Sequence, residues 1–287
     1  MSNRYFKLLM ITGLLLYGTL TIFPFLWMVI TSFKPVGDTF ILPPTLMPSL
    51  LLTDHPFLNF ELVFQERNFL RYFINSCIVA ILAALGQLFT CSLAGFAFAR
   101  IRFPGKKIIY GVLIATMFVP TEVTIIPEFF MMRFFGWLDT LLPLIIPSIM
   151  VGAFGTLMMT EYFKSVPREL EEAAFIDGAR TVHIFYYIFL PAARPALASL
   201  FVVAFIHNWD ELLRPVLYIT NDDWKTLPQA LMNFVSQYEA EWTLLLTGSF
   251  ISTLPLLLVY LAAQKHVVQG FVHSGIKGRK WRLRSVP

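Results

Sequence analysis

Long apolar segments alternate with shorter polar connections along the 287-residue chain. Each apolar segment holds roughly 20 residues, enough for an α-helix to cross a bilayer core of about 30 Å. Because a backbone in lipid must satisfy its own hydrogen bonds, these segments predict membrane-spanning helices. Six are predicted, over residues 11–33, 73–98, 108–131, 141–159, 196–219 and 244–263. The pattern therefore predicts an all-α integral membrane protein with six transmembrane helices.

The composition agrees with residence in a membrane. Hydrophobic residues make up 57% of the chain and charged residues only 14%, with a mean hydropathy of +0.68. A soluble domain carries about 25% charged residues. The first apolar segment is too long for the core of a signal peptide, so we expect it to remain in the protein.

The basic residues predict the orientation of the helices. Most of the 22 Lys and Arg residues lie in the N-terminus, the second-to-third connection, the fourth-to-fifth connection and the C-terminal tail. The positive-inside rule places these segments, and with them both termini, in the cytoplasm. The net charge of +4 is explained in the same way, so no nucleic-acid partner is expected.

The chain is predicted to form a single transmembrane domain over residues 1–278, with its core at 70–278. Residues 279–287 are expected to form a basic cytoplasmic tail. The longest connections are two outer loops at 34–70 and 220–243 and an inner connection at 160–195.

The inner connection is too long to be unstructured in a compact protein. Pro167 suits the first turn of a helix, and acidic residues follow it where the helix dipole favours anions. Gly178 can adopt the left-handed conformation that commonly ends a helix. A second helical pattern covers residues 181–190, and Pro191 and Pro195 are expected to break it before the membrane is re-entered. The residues thus predict two short helices that meet at a bend and present small side chains.

The segment EEAAFIDGARTVHIFYYIFLPAARPAL resembles the EAA signature of ABC-importer permease subunits. In that signature Glu-Ala-Ala is followed by Asp-Gly-Ala and then by a hydrophobic stretch that ends in Ile-x-Leu-Pro. The matching positions are Glu172, Ala173, Ala174, Asp177, Gly178, Ala179, Ile188, Leu190 and Pro191.

Further segments, among them FPFLWMVITSFKP, LAGFAFARIRFPGKK, VPTEVTIIPEFF and NWDELLRPVLYIT, are similar to maltose-type carbohydrate permeases. The similarity is to the second, six-helix permease of such importers. Two features depart from it: His273-Ser274 stands where small residues are commoner, and RKWRLRSVP extends past the usual end.

The resemblance implies a permease subunit of a carbohydrate ABC importer in a bacterial inner membrane. Such a chain would form the translocation path with a second permease and accept sugar from an extracytoplasmic solute-binding protein. A cytoplasmic ABC ATPase dimer would use ATP-Mg, and this chain would bind no cofactor itself. Residues 165–191 would couple it to the ATPase. The expected coupling residues are Glu171, Glu172, Ala173, Ala174, Asp177, Gly178, Ala179, Leu190 and Pro191. Among them Glu172 would supply the charged contact, Ala173 and Ala174 a close-packed surface, and Gly178 the bend.

Polar residues within apolar segments are costly and often functional, so they are candidates for the substrate path. The candidates are Asn75, Gln87, Glu122, Asn208, Asp210 and Glu211. The segment 208–211 is favoured because Trp209 adds an aromatic face on which a sugar ring could stack. For every candidate, polar packing between helices or against a partner permease is an equally good explanation.

The sequence lacks the motifs of several other classes of protein. The sequence has no Gly-x-x-x-x-Gly-Lys-Ser/Thr loop, no Gly-x-Ser-x-Gly elbow and no His-Glu-x-x-His pair, so a transport subunit is expected rather than an enzyme. Cys77, Cys91 and the histidines lack metal-ligand spacing, and no metal site is expected. The alternative within the superfamily is a permease for another solute, such as glycerol phosphate or a polyamine. A secondary transporter would carry inverted hydropathy repeats and paired ionisable residues, and neither is evident.

Overall fold

The computed structural model describes residues 2–66, 68–235 and 241–275. Its α-helices are α1 (Ser2–Ser32), α2 (Leu58–Glu66), α3 (Phe69–Arg100), α4 (Lys106–Ala115), α5 (Ile125–Phe134), α6 (Leu142–Ile149), α7 (Ala153–Ser165), α8 (Arg168–Ile176), α9 (Thr181–Ile184), α10 (Leu190–Ala192), α11 (Arg194–Trp209), α12 (Leu213–Tyr218), α13 (Leu227–Leu231) and α14 (Trp242–Gly275). The chain divides into two compact units. The first comprises Met1–Phe73 and Thr226–Leu256, and the second comprises Ile74–Lys225 and Leu257–Pro287. The predicted basic tail, the bounds of the predicted domain after residue 275 and part of the second outer loop lie outside the described residues.

The helices are long and apolar enough for a multi-pass membrane protein. By length and composition, four segments can each cross a bilayer: Tyr5–Ser32, Phe69–Arg100, Leu142–Ser165 and Trp242–Lys265. Two further pairs of helices qualify if each bent pair counts as one span, which gives six. The predicted fold class is confirmed, but three of the six predicted helices are not continuous. The fourth, over residues 141–159, is divided between α6 and α7, with an extended Met150 after α6.

The third predicted helix is broken in its middle. The segments Lys106–Phe118 and Thr121–Phe134 meet at an angle of 95°. Val119, between them, is extended, with φ −88° and ψ 114°. Pro120 explains this conformation, because a proline ring clashes with a helical preceding residue and the proline has no N–H for the helix.

The fifth predicted helix, over residues 196–219, also differs from the structure. Its long part, α11, ends at Trp209, and a separate short helix, α12, begins at Leu213. The Glu211 carboxylate accepts hydrogen bonds from the backbone N–H groups of Leu213 (3.0 Å) and Arg214 (3.2 Å). A side chain that satisfies the first N–H groups of a helix favours a new start at this point.

The sequence predicted that Pro191 ends the preceding helix, but in the structure the helix continues past it. The chain passes from α9 through a π-helical turn at Phe185–Phe189 into α10. The helical direction changes by 77° only after Ala192. The wider π turn lies one turn before the proline, where its ring would otherwise press on a backbone carbonyl. Pro191 thus widens the helix instead of breaking it.

In the first unit, a buried polar centre fixes the start of the outer loop. The Asn59 amide donates to the backbone oxygens of Ser32 (2.8 Å) and Lys34 (2.6 Å). The buried Lys34 ammonium donates to Thr45 O at 2.6 Å and lies 4.4 Å from the Trp27 ring centroid. These bonds tie the residues after α1 to α2.

In the second unit, α3 and α7 cross at very close range. A Cβ atom on Gly95 would lie 2.6 Å from the Met159 Cβ and 3.0 Å from the Thr160 backbone nitrogen. Only a residue without a side chain fits there, as at other close helix contacts in membranes.

An aromatic cluster extends from that crossing toward α8 and consists of Phe96, Phe163, Phe185 and Phe189. Phe96, on α3, lies 5.0 Å from Phe189 and 6.2 Å from Phe163 between ring centroids. All four rings are buried, so the cluster forms a rigid base for the residues between α7 and α11.

Candidate functional site

The inner connection forms the predicted helix–turn–helix. Helix α8 ends at Ile176, and Gly178 has a φ of +81°. The Gly178 N–H donates to Phe175 O (3.0 Å) and the Ala179 N–H donates to Ala174 O (2.9 Å). This pair of bonds is the Schellman arrangement that satisfies the last carbonyls of a helix. The expected bend at Gly178 is therefore confirmed.

The expected coupling residues divide between two faces. Glu172, Ala173, Asp177, Gly178 and Pro191 are exposed. Glu171, Ala174, Ala179 and Leu190 are half-buried, and the last three pack on the hydrophobic core that contains the aromatic cluster. The expectation that Ala174 joins Ala173 in the outward surface is wrong, because its side chain faces the protein's own core.

Large apolar side chains are also exposed in this segment, and of these the sequence indicated only Leu170. Leu170 is half exposed, and Ile176 is 86% exposed. Val182 and Tyr187 are also exposed on the segment that follows the bend. The three-residue spacing of Ala173 and Ile176 was the available signal. We call the face formed by Glu172, Ala173 and Ile176 the outward face of α8.

Arg100, the last residue of α3, contacts Glu171 on α8. Its Nη2 donates to the backbone oxygens of Phe163, at 2.6 Å, and Val166. Its Nη1 lies 3.4 Å from the Glu171 Oε2. The guanidinium also lies 4.9 Å from the Phe189 ring centroid. The sequence showed only a basic residue at the end of an apolar segment and gave no indication of these partners.

The predicted substrate-path residues have different surroundings in the structure. The buried Asn75 amide donates to the backbone oxygens of Asp223 (3.0 Å) and Lys225 (2.9 Å), so it anchors an outer loop. Glu122 is exposed on the turn between α4 and α5. Gln87 lies against Gly152, where an added Cβ would meet its Nε2 at 2.8 Å. Each residue has a different environment.

Trp209 cannot offer the aromatic face that the sequence suggested. The side chain is 1% exposed and stacks on Phe205, with ring centroids 5.6 Å apart and planes 17° apart. Of its neighbours, Asn208 donates to Ala204 O (2.8 Å), whereas Asp210 is exposed. Trp209 therefore packs in the core, and the expectation of a stacking platform is wrong.

Glu211 belongs to an ionic cluster that the sequence did not reveal. Arg214 donates from Nε and Nη2 to both carboxylate oxygens of Glu128, at 3.1 and 3.2 Å, and from Nη1 to Glu211 at 3.1 Å. Such two-pronged bonding fixes orientation strongly. The cluster joins α5, which follows the break at Pro120, to the start of α12, which follows the end of α11.

A carboxylate also holds the beginning of the second outer loop. Asp139 accepts from the backbone N–H groups of Thr220 (2.6 Å) and Asn221 (2.8 Å) and from the Thr220 hydroxyl (2.9 Å). These bonds favour the charged form, so they lower the pKa of Asp139 below its ordinary value of 3.8. The loop is therefore anchored by a carboxylate that stays ionised at every physiological pH.

No group of three or more His, Cys, Asp or Glu residues suited to a metal ion occurs in the part of the chain that the structure describes. The candidate site is therefore described by the exposed surface of α8 and the contacts that hold it.

Comparison with known proteins shows the family. Residues 91–273 match the family of binding-protein-dependent transport system inner membrane components. The chain is 31% identical to the diacetylchitobiose uptake system permease protein NgcG of Streptomyces coelicolor, over 96% of this chain and 90% of that protein. It is 32% identical to the lactose transport system permease protein LacG of Rhizobium radiobacter, over 89% and 91%.

Solved structures support the same fold. A bacterial ABC transporter involved in the import of the acidic polysaccharide alginate contains a chain with a TM-score of 0.80 and 22% identity, covering 92% of this chain and 97% of that one. The protein belongs to the family of binding-protein-dependent inner membrane transport components. It is a multi-pass membrane transport subunit and not an enzyme, as the sequence predicted.

Proposed function

We propose that this chain is a permease subunit of an ATP-driven carbohydrate importer. It would form the translocation path with a second permease and receive sugar from an extracytoplasmic binding protein. A cytoplasmic ABC ATPase dimer, which uses ATP-Mg, would drive it. The membrane would be the bacterial inner membrane, with both termini in the cytoplasm as the basic residues favour.

The observation that carries this proposal is the outward face of α8. A short helix that ends in a fixed bend presents exposed apolar side chains beside Glu172. An exposed apolar surface with a polar edge is typical of protein contacts. The sequence has no Gly-x-x-x-x-Gly-Lys-Ser/Thr loop, so we assign ATP hydrolysis to another subunit.

The carbohydrate substrate is supported by the relatives. Three of them are named for saccharides: diacetylchitobiose, lactose and, for AraQ of Halalkalibacterium halodurans at 28% identity, arabinooligosaccharides. We therefore favour a sugar over glycerol phosphate or a polyamine.

Residues 165–191 would act as the coupling segment, with α8 as the coupling helix. ATP would close the ATPase dimer and move the docked helix, and the permease pair would change from inward- to outward-facing. Glu172 and Ala173 are the contacts that we assign to the ATPase, and Gly178 holds the bend between the two helices.

Co-purification tests the proposal directly. The tagged chain, extracted from its native membrane, is expected to bring down an ATPase and a second permease. The complex is then reconstituted with its binding protein and screened for ATP hydrolysis stimulated by sugars, glycerol phosphate and polyamines. Stimulation by a non-sugar alone would refute the carbohydrate assignment. Transport by the purified chain without any ATPase would refute the whole proposal.

A further inference from the structure

Arg100 bonds three separate segments of the second unit. It is the last residue of α3, and its guanidinium donates to carbonyls at the end of α7 and to Glu171 on α8. The same group packs on Phe189 of the aromatic cluster. A single side chain therefore joins the end of a membrane helix to the helix that we assign to ATPase docking.

The geometry requires arginine and not merely a positive charge. The side chains of Arg100 and Glu171 are 6% and 18% exposed, so both are largely removed from water. The planar fork of a guanidinium can reach two carbonyls and a carboxylate at once, whereas a lysine ammonium is a single point on a flexible stem. The two carbonyls lie at the C-terminal end of α7, where the helix dipole favours a cation.

Most side chains of α8 are exposed. Within the described residues, Glu171 and Ala174 are the two α8 residues that are not exposed. Ala174 supplies a small apolar contact with the core. The contact of Ala174 with the core opposes sliding of α8 over that core only weakly, because the side chain is a single methyl group. The bond between Glu171 and Arg100 adds a polar contact with a fixed direction.

We infer that Arg100 is the positioning residue that fastens the coupling helix to α3 and α7, so that movement of α8 is passed to the membrane helices. The inference rests on the proposed function and adds to it the contact inside the permease through which mechanical work enters. Arg100 acts through Glu171 and the α7 carbonyls and does not itself touch the ATPase or the sugar.

The experiment uses the complete transporter with its ATPase, second permease and binding protein in lipid vesicles. Two quantities are measured: the ATPase recovered with the tagged chain, and the sugar transported per ATP hydrolysed. The variants are Arg100→Ala, Arg100→Lys and Glu171→Gln. Arg102→Ala and Glu169→Gln are matched controls, because both residues are exposed neighbours of the same charge.

The variants are expected to keep the ATPase bound, because the outward face of α8 is unchanged. Arg100→Ala is expected to lower the sugar transported per ATP by about tenfold, within the usual range of coupling between sites. Arg100→Lys and Glu171→Gln are expected to lie between Arg100→Ala and the wild type, because each keeps part of the contact. The double variant Arg100→Ala, Glu171→Gln is expected to be no worse than Arg100→Ala alone, because their bond is already lost.

Equal coupling in Arg100→Ala and Arg102→Ala would overturn the inference while leaving the proposed function intact. Loss of the bound ATPase in Glu171→Gln would also overturn it, because the contact would then serve docking and not transmission. If Arg100→Ala does not reach the membrane, Glu171→Gln against Glu169→Gln decides the question. Failure of the wild-type chain to recover any ATPase would instead refute the proposed function.

Discussion

Gly178 shows how a single backbone conformation can set the geometry of a docking element. Its φ of +81° is disfavoured for residues with a side chain, although nothing lies within 4 Å of an added Cβ. The position is therefore constrained by backbone conformation and not by space.

Gly178→Ala is expected to reduce uptake, because alanine in the left-handed region costs about 1–2 kcal/mol and shifts the bend. Uptake is measured at equal amounts of membrane-inserted protein. Gly111→Ala is the control, since Gly111 also has open space around it but no positive φ. Gly178→Asn should recover part of the activity, because asparagine tolerates this conformation. Equal uptake by the Gly178→Ala and Gly111→Ala variants would contradict the role of the bend.

Glu172 is the charged residue that we assign to the ATPase contact. Glu172→Lys is expected to weaken association with the ATPase by about tenfold. The introduced lysine would face the positive charge that we expect Glu172 to contact on the ATPase, and like charges across an interface repel. The measurement is ATPase recovered in a pull-down at several salt concentrations. Glu161→Lys is the control for net charge, since Glu161 is an exposed carboxylate on α7, outside the outward face of α8. Equal loss in both variants would assign the effect to overall charge and not to this contact.

Proline, glycine and buried polar residues determine the course of the helices. Pro120 bends the third apolar segment by 95°, and Glu211 starts a new helix after α11. The ionic cluster of Arg214 with Glu128 and Glu211 links the helices that follow these two breaks, α5 and α12. Irregular backbone of this kind in a membrane protein is tolerated where side chains satisfy it.

The crossing of α3 and α7 gives a prediction about packing. Gly95→Ala is expected to destabilise the protein by about 1–3 kcal/mol, because the added carbon overlaps Met159 and the Thr160 backbone. Thermal unfolding of the purified chain in detergent measures the change. Gly111→Ala serves again as the control and is expected to be neutral or slightly stabilising. A melting temperature for Gly95→Ala equal to that of the wild type would show that the crossing can relax.

At the scale of the whole molecule, the chain combines a membrane-embedded framework with an exposed inner helix. Arg100 and the aromatic cluster connect α3 and α7 to the coupling segment, so the second unit is suited to carry movement toward the membrane. The orientation of the chain decides whether that segment meets a cytoplasmic partner.

Labelling with a membrane-impermeant maleimide tests the orientation. Glu169→Cys and Asp54→Cys are each placed in a chain that carries Cys77→Ala and Cys91→Ala. Asp54, in the predicted outer loop, is expected to react in intact cells, and Glu169 only after permeabilisation. The unsubstituted background chain controls for other reactive groups. The reverse pattern would place the coupling helix outside and exclude the proposed function.

The sequence by itself determined the elements whose causes are local. Apolar length predicted the membrane-spanning segments, Gly178 predicted the end of α8, and the spacing around Glu172 indicated the family. Each of these follows from neighbouring residues, because helix formation, helix ends and membrane insertion depend on short stretches of chain.

Only the tertiary structure decided which side chains meet. Trp209 has an aromatic ring on which a sugar could stack, but the ring is buried against Phe205. Ala174 has the sequence spacing of a contact residue, but its side chain packs on the protein's own core. Arg100 finds partners 63 to 71 residues away in sequence. Such pairings depend on how helices cross and rotate about their axes, and no local pattern specifies that rotation.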